Sequence, residues 1–397
     1  MQYDDRCYDL GSRRSVIREL FEYGRRRRAE IGENNVFDFS LGNPSVPPPE
    51  AVTETLLSLL KNEDATALHG YTSAQGDAGV RAVIAENLNE RYGTKLLPEL
   101  IYMTCGAAAS LTITLKALLH EGDEAVVFAP FFTEYRVFIE NAGGKTVVSL
   151  PEEKTFQINL RDLESRITPK TRAVIINSPN NPSGVVYTEE TVKAVSGLLK
   201  EKSAEYGNDI LLISDEPYRE LVYDGVTVPF VMNYYDNSVV CYSYSKALSL
   251  PGERIGYIAV SPKMRGAKDF YLAACGAGRS LGYVCAPSLF QHVIARCDGL
   301  KSDVSVYKEN RDILCEGLKE AGFEFVKPDG AFYLFVKALE SDACAFSERA
   351  KKHELLLVPC DDFGVKGYVR VAYCVDKKTI VGAIPHFRNL AKEYEKL

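Results

Sequence analysis

The sequence contains no tryptophan, four methionines and five histidines among its 397 residues. The histidines are scattered, so no histidine-built metal centre is expected. No stretch of about 18 uncharged apolar residues occurs, and a membrane-spanning helix is not expected. The opening stretch, MQYDDRCYDLGSRRS, is charged and has no apolar core of the kind a secretory leader carries. Ten cysteines are present, yet no two stand as C-x-x-C, and several lie inside apolar runs. That usage suits free thiols in a reducing compartment better than a disulfide frame or a zinc site, so the expected location is the cytoplasm. Positive charge is in deficit, with 47 Lys+Arg against 54 Asp+Glu and a formal net charge of −7. This gives no electrostatic case for nucleic acid or an anionic membrane. No internal repeat or low-complexity tract is visible. The nearest thing is Arg25 to Arg28, expected to be a solvated helix face.

What is present is an ordinary globular composition, 46% apolar and 25% charged, of a length that suits two or three domains. The segment Pro44 to Pro49 carries four prolines and cannot be helical. It predicts an extended linker after an N-terminal helix over about Arg13 to Ile31. Between about 100 and 260, short apolar runs alternate with helix-like stretches. The runs are Ile101–Thr104, Glu124–Ala129, Lys145–Leu150, Arg172–Asn177, Ile210–Ser214, Val239–Ser243 and Ile255–Val260. Seven such strands predict an α/β fold with a mostly parallel sheet. Beyond about 290 the pattern changes. One long helix, about Ser288 to Ala321, leads to strand-like runs at Phe323–Val326, Ala331–Val336, Leu355–Val358 and Tyr368–Tyr373. These predict a smaller α+β domain joined by the N-terminal helix. The expected division is therefore 1–48 with 290–397, and 49–289.

Four motifs border the predicted strands: Ser178-Pro179-Asn180-Asn181-Pro182-Ser183-Gly184, Ser214-Asp215-Glu216-Pro217-Tyr218, Ser243-Tyr244-Ser245-Lys246 and Gly252-Glu253-Arg254. Ligands of open α/β sheets bind beyond the carboxyl ends of the strands, so one pocket could collect all four. Lys246 follows a buried strand, where desolvation and cationic neighbours can lower an amine's pKa and make it nucleophilic. Ser243 and Arg254 suit a phosphate. Gly106-Ala107-Ala108-Ala109-Ser110 opens a helix after a strand, and its free amides make a second phosphate cradle. Asp215, at a strand end, could pair with a pyridinium nitrogen. Pyridoxal phosphate has an aldehyde, a phosphate, a ring nitrogen and a phenolic oxygen, and so matches the whole set.

With NNPSG, SDEPY and SYSK in this order and GER eight residues after Lys246, the sequence resembles the class I/II aminotransferases of the fold-type I pyridoxal-phosphate family. The likeness runs from Ser40-Leu41-Gly42-Asn43-Pro44 to Tyr368-Val369-Arg370. It implies that Lys246 forms the Schiff base and shuttles a proton, while Asp215 keeps the ring nitrogen protonated. It further implies that Asn181 and Tyr218 bond the phenolic oxygen, Phe132 stacks on the ring, and Ser243, Arg254 and the amides of Ala107 and Ala108 hold the phosphate. Gly42 would approach the substrate, and Arg370 would clamp its α-carboxylate. Tyr71 would reach the phosphate of a neighbouring subunit in a homodimer with shared active sites. Two departures stand out. Ala107 and Ala108 offer no hydroxyl to the phosphate, and Phe132 offers no ring hydrogen bond.

The activity implied is ping-pong transfer of an amino group between an amino acid and a 2-oxo acid. A carbon–sulfur β-lyase or decarboxylase is the alternative on the same site. A pyridoxal-phosphate-binding transcriptional regulator is disfavoured, since only about 40 residues precede the Gly42 motif and the charge is −7. Arg279 lies near the segment where aspartate-specific relatives place a distal-carboxylate arginine, with the register off by about two residues. A surface arginine is the competing expectation there.

Overall fold

A computed structural model describes residues 3–12 and 16–396. The expected N-terminal helix is seen as Val16–Ile31, preceded by a separate helix Asp5–Ser12; its expected start at Arg13 lies outside the described residues. Twelve strands are formed among the described residues: β1 (Phe37–Asp38), β2 (Ile101–Thr104), β3 (Glu124–Phe128), β4 (Lys145–Ser149), β5 (Thr171–Asn177), β6 (Leu211–Asp215), β7 (Ser238–Ser243), β8 (Gly256–Val260), β9 (Tyr333–Lys337), β10 (Leu355–Leu356), β11 (Val358–Pro359) and β12 (Tyr368–Ala372). The chain divides into two compact units, residues 46–304 with 329–331, and residues 1–45, 305–328 and 332–397.

The larger unit is built on a seven-stranded sheet of order β2-β8-β7-β6-β5-β3-β4. It is parallel except for β8, which runs antiparallel to both β7 and β2. Runs such as Ala173-Val174-Ile175-Ile176 are buried along their whole length. A strand covered on both faces has no polar side to show, which is why these segments read as continuous apolar runs rather than alternating ones. Register then positions the chemistry. Asn177 at the end of β5 pairs with Asp215 at the end of β6, and Asp215 pairs with Cys241 in β7. Ser243 and Thr104 both pair with Gly256. A Cβ at Gly256 would lie 2.3 Å from the Tyr242 carbonyl oxygen and 3.0 Å from Gly106 Cα, so only glycine lets these backbones close up. The ends of β2, β7 and β8 are thereby drawn together.

The smaller unit holds a parallel pair, β1 with β10, and an antiparallel sheet β11-β12-β9. The stretch Phe323–Val326 is not a strand; it contributes a single bridge, Phe325 to Val336. Leu355–Val358 is divided, because β10 pairs with β1 while β11 pairs with β12. The expected long helix from Ser288 is two helices, Ser288–Cys297 and Ser305–Glu320. Gly299 at φ +84° breaks it, and the Ser302 amide bonds to the Ala247 carbonyl at 2.7 Å instead of continuing the helix. The first of these helices belongs to the larger unit, so the units change over after Val304. The Arg25–Arg28 run is only half solvated. Arg25 and Arg26 are exposed, whereas Arg27 pairs with Glu354 at 2.6 Å and Arg28 with Asp38 at 2.8 Å. All ten cysteines are free thiols. No described helix is long and apolar enough to cross a membrane.

Candidate active site

Asp215 is the best-defined group of the larger unit. It ends β6 and is 5% exposed. Tyr135 donates its hydroxyl hydrogen to Oδ2 at 2.5 Å, and Asn177 Nδ2 lies 3.5 Å from the same oxygen. Asn177 Nδ2 also donates to the Asp215 carbonyl at 2.9 Å, while its Oδ1 accepts from the Asn181 amide at 2.8 Å. One asparagine therefore fixes both Asp215 and Asn181. Oδ1 of Asp215 is buried and has no hydrogen-bond partner among the described residues. Burial pushes the Asp215 carboxyl up to about 7, with the Tyr135 hydroxyl pulling the other way. A buried, partly solvent-starved carboxylate with one vacant acceptor is what a cationic ring N–H needs. The donor set thus fits a pyridinium. Tyr135 and Asn177 were not among the residues expected to act. Asn177 stands at the end of a strand already singled out, and Tyr135 lies three residues after Phe132.

The phosphate side is also built. Gly106, at φ +87°, caps the helix Ala107–Leu118. A Cβ at Gly106 would stand 2.9 Å from Arg254 Nη2 and 3.6 Å from Ser243 Oγ, so the glycine leaves open the space between helix start, guanidinium and hydroxyl. Arg254 is oriented by bonds from Nη1 to the Pro251 carbonyl at 2.9 Å and from Nη2 to the Cys105 carbonyl at 3.3 Å. Ser243 Oγ lies 2.6 Å from Ser245 Oγ and accepts from the Ser245 amide at 3.2 Å. Ser245 is thus a second hydroxyl at the cradle, legible as the other serine of SYSK. Ala107 is half-buried and Ala108 exposed. Helix amides, a hydroxyl pair and a guanidinium offer a donor set whose chemistry suits a phosphate-type anion.

Lys246 is half-buried in the short helix Tyr244–Ala247 that follows β7. Asn181 and Tyr218 are buried, and Tyr218 is one of the groups whose field raises the Tyr135 pKa. Phe132 is half-buried, its ring edge-to-face with Tyr135 at 5.7 Å. Tyr71 is 89% exposed and does not pack in its own chain. Arg279 is exposed near the end of the helix Ala267–Ser280. Gly42 and Arg370 belong to the smaller unit. There Arg370 is 3% exposed and its Nη2 donates to the Ser40 carbonyl at 2.8 Å.

A mostly parallel sheet thus has a lysine, a buried aspartate and a set of anion-type donors near its strand ends. Residues 34–387 match the family "Aminotransferase class I and II", and the chain belongs to that family. It is a transaminase, and its family uses pyridoxal phosphate to pass amino groups between amino acids and 2-oxo acids. An aspartate aminotransferase of Thermotoga maritima is 32% identical over 361 residues, 89% of this chain and 91% of that protein. A crystal structure of an aminotransferase from Eubacterium rectale has a TM-score of 0.98 at 55% identity, covering 99% of each chain. The aspartate aminotransferase of Thermus thermophilus with maleate has a TM-score of 0.85 at 25% identity, covering 98% of this chain and 100% of that one. These relatives are all named as aminotransferases, and the lyase, decarboxylase and regulator readings are not favoured.

Proposed function

We propose that this aminotransferase holds pyridoxal phosphate in its larger unit and works as a homodimer on α-amino acids. The observation that carries the cofactor assignment is the buried, unpartnered Oδ1 of Asp215. When bound, the cofactor supplies an aldehyde and a protonated pyridine ring that withdraws electrons from the bond broken at the substrate Cα. Asp215 would hold the proton on the ring nitrogen through Oδ1. Asn181 and Tyr218 would hydrogen-bond the phenolic oxygen, and Phe132 would lie against the ring and exclude water from that face. Ser243, Arg254 and the amides of Ala107 and Ala108 would hold the phosphate, with Ser245 supporting Ser243. The Lys246 amine would take the proton from the substrate Cα and return one, which needs a neutral amine beside a cationic neighbourhood.

Arg370 would receive the α-carboxylate, and Gly42 would lie beside it. Tyr71 of one protomer would reach the phosphate held by its partner, a reading its 89% exposure supports. Aspartate is the first substrate to try, since relatives of this chain are named for it. The test is a two-substrate exchange. Labelled amino nitrogen should appear on the added 2-oxo acid, and a parallel-line pattern should be seen when both substrates are varied. Release of ammonia without an oxo-acid acceptor would overturn the reading.

A further inference from the structure

The carboxylate clamp of the smaller unit has a floor. β9 and β12 are antiparallel, with Arg370 opposite Phe335 and Ala372 opposite Tyr333. Tyr333 is therefore the diagonal neighbour of Arg370 on one face of the pair, within reach of a long side chain. The Arg370 guanidinium carbon stands 4.6 Å from the centre of the Tyr333 ring and 5.9 Å from that of Phe363. Its Nη2 is tied to the Ser40 carbonyl, and Ser40 is fixed in turn by Asp38, whose Oδ1 accepts from the Ser40 hydroxyl at 2.6 Å and from its amide at 3.0 Å. Tyr333 is 3% exposed, and its hydroxyl oxygen lies 1.9 Å from where a Cβ at Gly42 would stand. A side chain at position 42 would push the ring off its place beneath the guanidinium.

We propose that Tyr333 is a positioning residue for the substrate carboxylate. Its ring is the shelf that holds the Arg370 guanidinium in one plane, and Gly42 is glycine because the Tyr333 hydroxyl needs that space. The inference rests on the reading of Arg370 as the α-carboxylate clamp. It gives Gly42 a role through Tyr333 as well as beside the substrate. A planar guanidinium keeps its bidentate fork only while its plane is fixed, and a desolvated ring face contributes to fixing it.

The test is a set of variants of the holoenzyme: Tyr333→Leu, Tyr333→Phe, Gly42→Ala, Gly42→Ala with Tyr333→Leu, and Arg370→Lys. Each is read by KM, by kcat, and by calorimetric binding of maleate and 3-phenylpropionate. Tyr333→Leu should raise KM and both dissociation constants by about thirtyfold, the size expected of a desolvated cation–π contact, with kcat within about twofold. Tyr333→Phe keeps the shelf and should stay within about twofold of wild type. Gly42→Ala should weaken carboxylate binding in the wild-type background and add little in Tyr333→Leu, because both act on the same ring. If Tyr333→Leu does not fold, Gly42→Ala carries the test, and unchanged carboxylate binding in it overturns the proposal. Binding unchanged in Tyr333→Leu while Arg370→Lys weakens it also overturns it. So does equal loss in Tyr333→Leu and Tyr333→Phe, or full additivity of the Gly42 and Tyr333 effects. If Arg370→Lys itself leaves carboxylate binding unchanged, it is the clamp assignment that has failed.

Discussion

Tyr135 donates to one oxygen of the Asp215 carboxylate at 2.5 Å and leaves the other oxygen buried with no partner among the described residues. Eighty residues separate the two in sequence. The hydroxyl is tied to Oδ2, so the vacant acceptor is Oδ1, and the side chain is held in one orientation before any ligand arrives. Asp215→Ala removes the acceptor and should reduce kcat by several orders of magnitude while the fold survives. Near wild-type kcat with normal cofactor absorbance would remove Asp215 from its proposed role.

The same carboxylate sets a pH dependence in the cofactor-free protein. Its pKa is about 7 in the folded chain against 3.8 for the ordinary side chain. A raised folded-state pKa means that the folded form binds the proton more tightly. Its stabilising contribution is full below pH 3.8 and is lost as pH rises through about 7. Asp215→Asn cannot titrate. The melting temperature of the wild type relative to this variant should therefore fall between pH 5 and pH 8. A difference that stays constant over that range contradicts the prediction.

Tyr135→Phe removes the short hydrogen bond and keeps the ring. The Tyr135 hydroxyl lowers the Asp215 pKa, so the variant should need a higher pH to ionise the carboxyl. The acid limb of cofactor binding should move upward, and affinity at neutral pH should drop by roughly tenfold or more, as for a hydrogen bond to a charged group. An unmoved acid limb would show that Tyr135 does not tune Asp215.

Arg370→Lys should leave cofactor absorbance alone and lower kcat/KM for amino acids. A lysine cannot reproduce a bidentate fork, a loss of about 2–3 kcal/mol, or roughly 30- to 150-fold. Wild-type kcat/KM in the variant would place the carboxylate elsewhere.

Much of this was readable in the sequence because of burial and strand ends. Six of the seven sheet strands are buried along nearly their whole length and so read as apolar runs, while the edge strand β4 is only half-buried; the bounds shift by no more than one residue. Asp215 and Ser243 end strands of that sheet and Lys246 follows one, which is where the sequence pattern puts them. The partners that tune them were not legible. Tyr135 reaches Asp215 across the sheet end, a contact that no periodicity encodes. Leu355–Val358 looked like one strand because pattern does not reveal that its two halves pair with different neighbours. The break after Cys297 depends on Gly299 and on a tertiary bond from Ser302 to Ala247.

The exposed Tyr71 makes a prediction about assembly. A hybrid dimer of a Lys246→Ala subunit and a Tyr71→Phe subunit should contain one site with wild-type Lys246 and wild-type Tyr71, and one with both lesions. That hybrid should show one site of native cofactor affinity, which neither mutant homodimer shows. A hybrid without such a site would mean that Tyr71 serves its own subunit.

The central claim is that Lys246 is the amine joined to pyridoxal phosphate opposite Asp215. Borohydride reduction of the holoenzyme, followed by proteolysis and mass spectrometry, tests it directly. The account predicts a phosphopyridoxyl group on the peptide containing Lys246, absent from Lys246→Ala, which should also be without turnover. The group on any other lysine, or full labelling of Lys246→Ala, would contradict it.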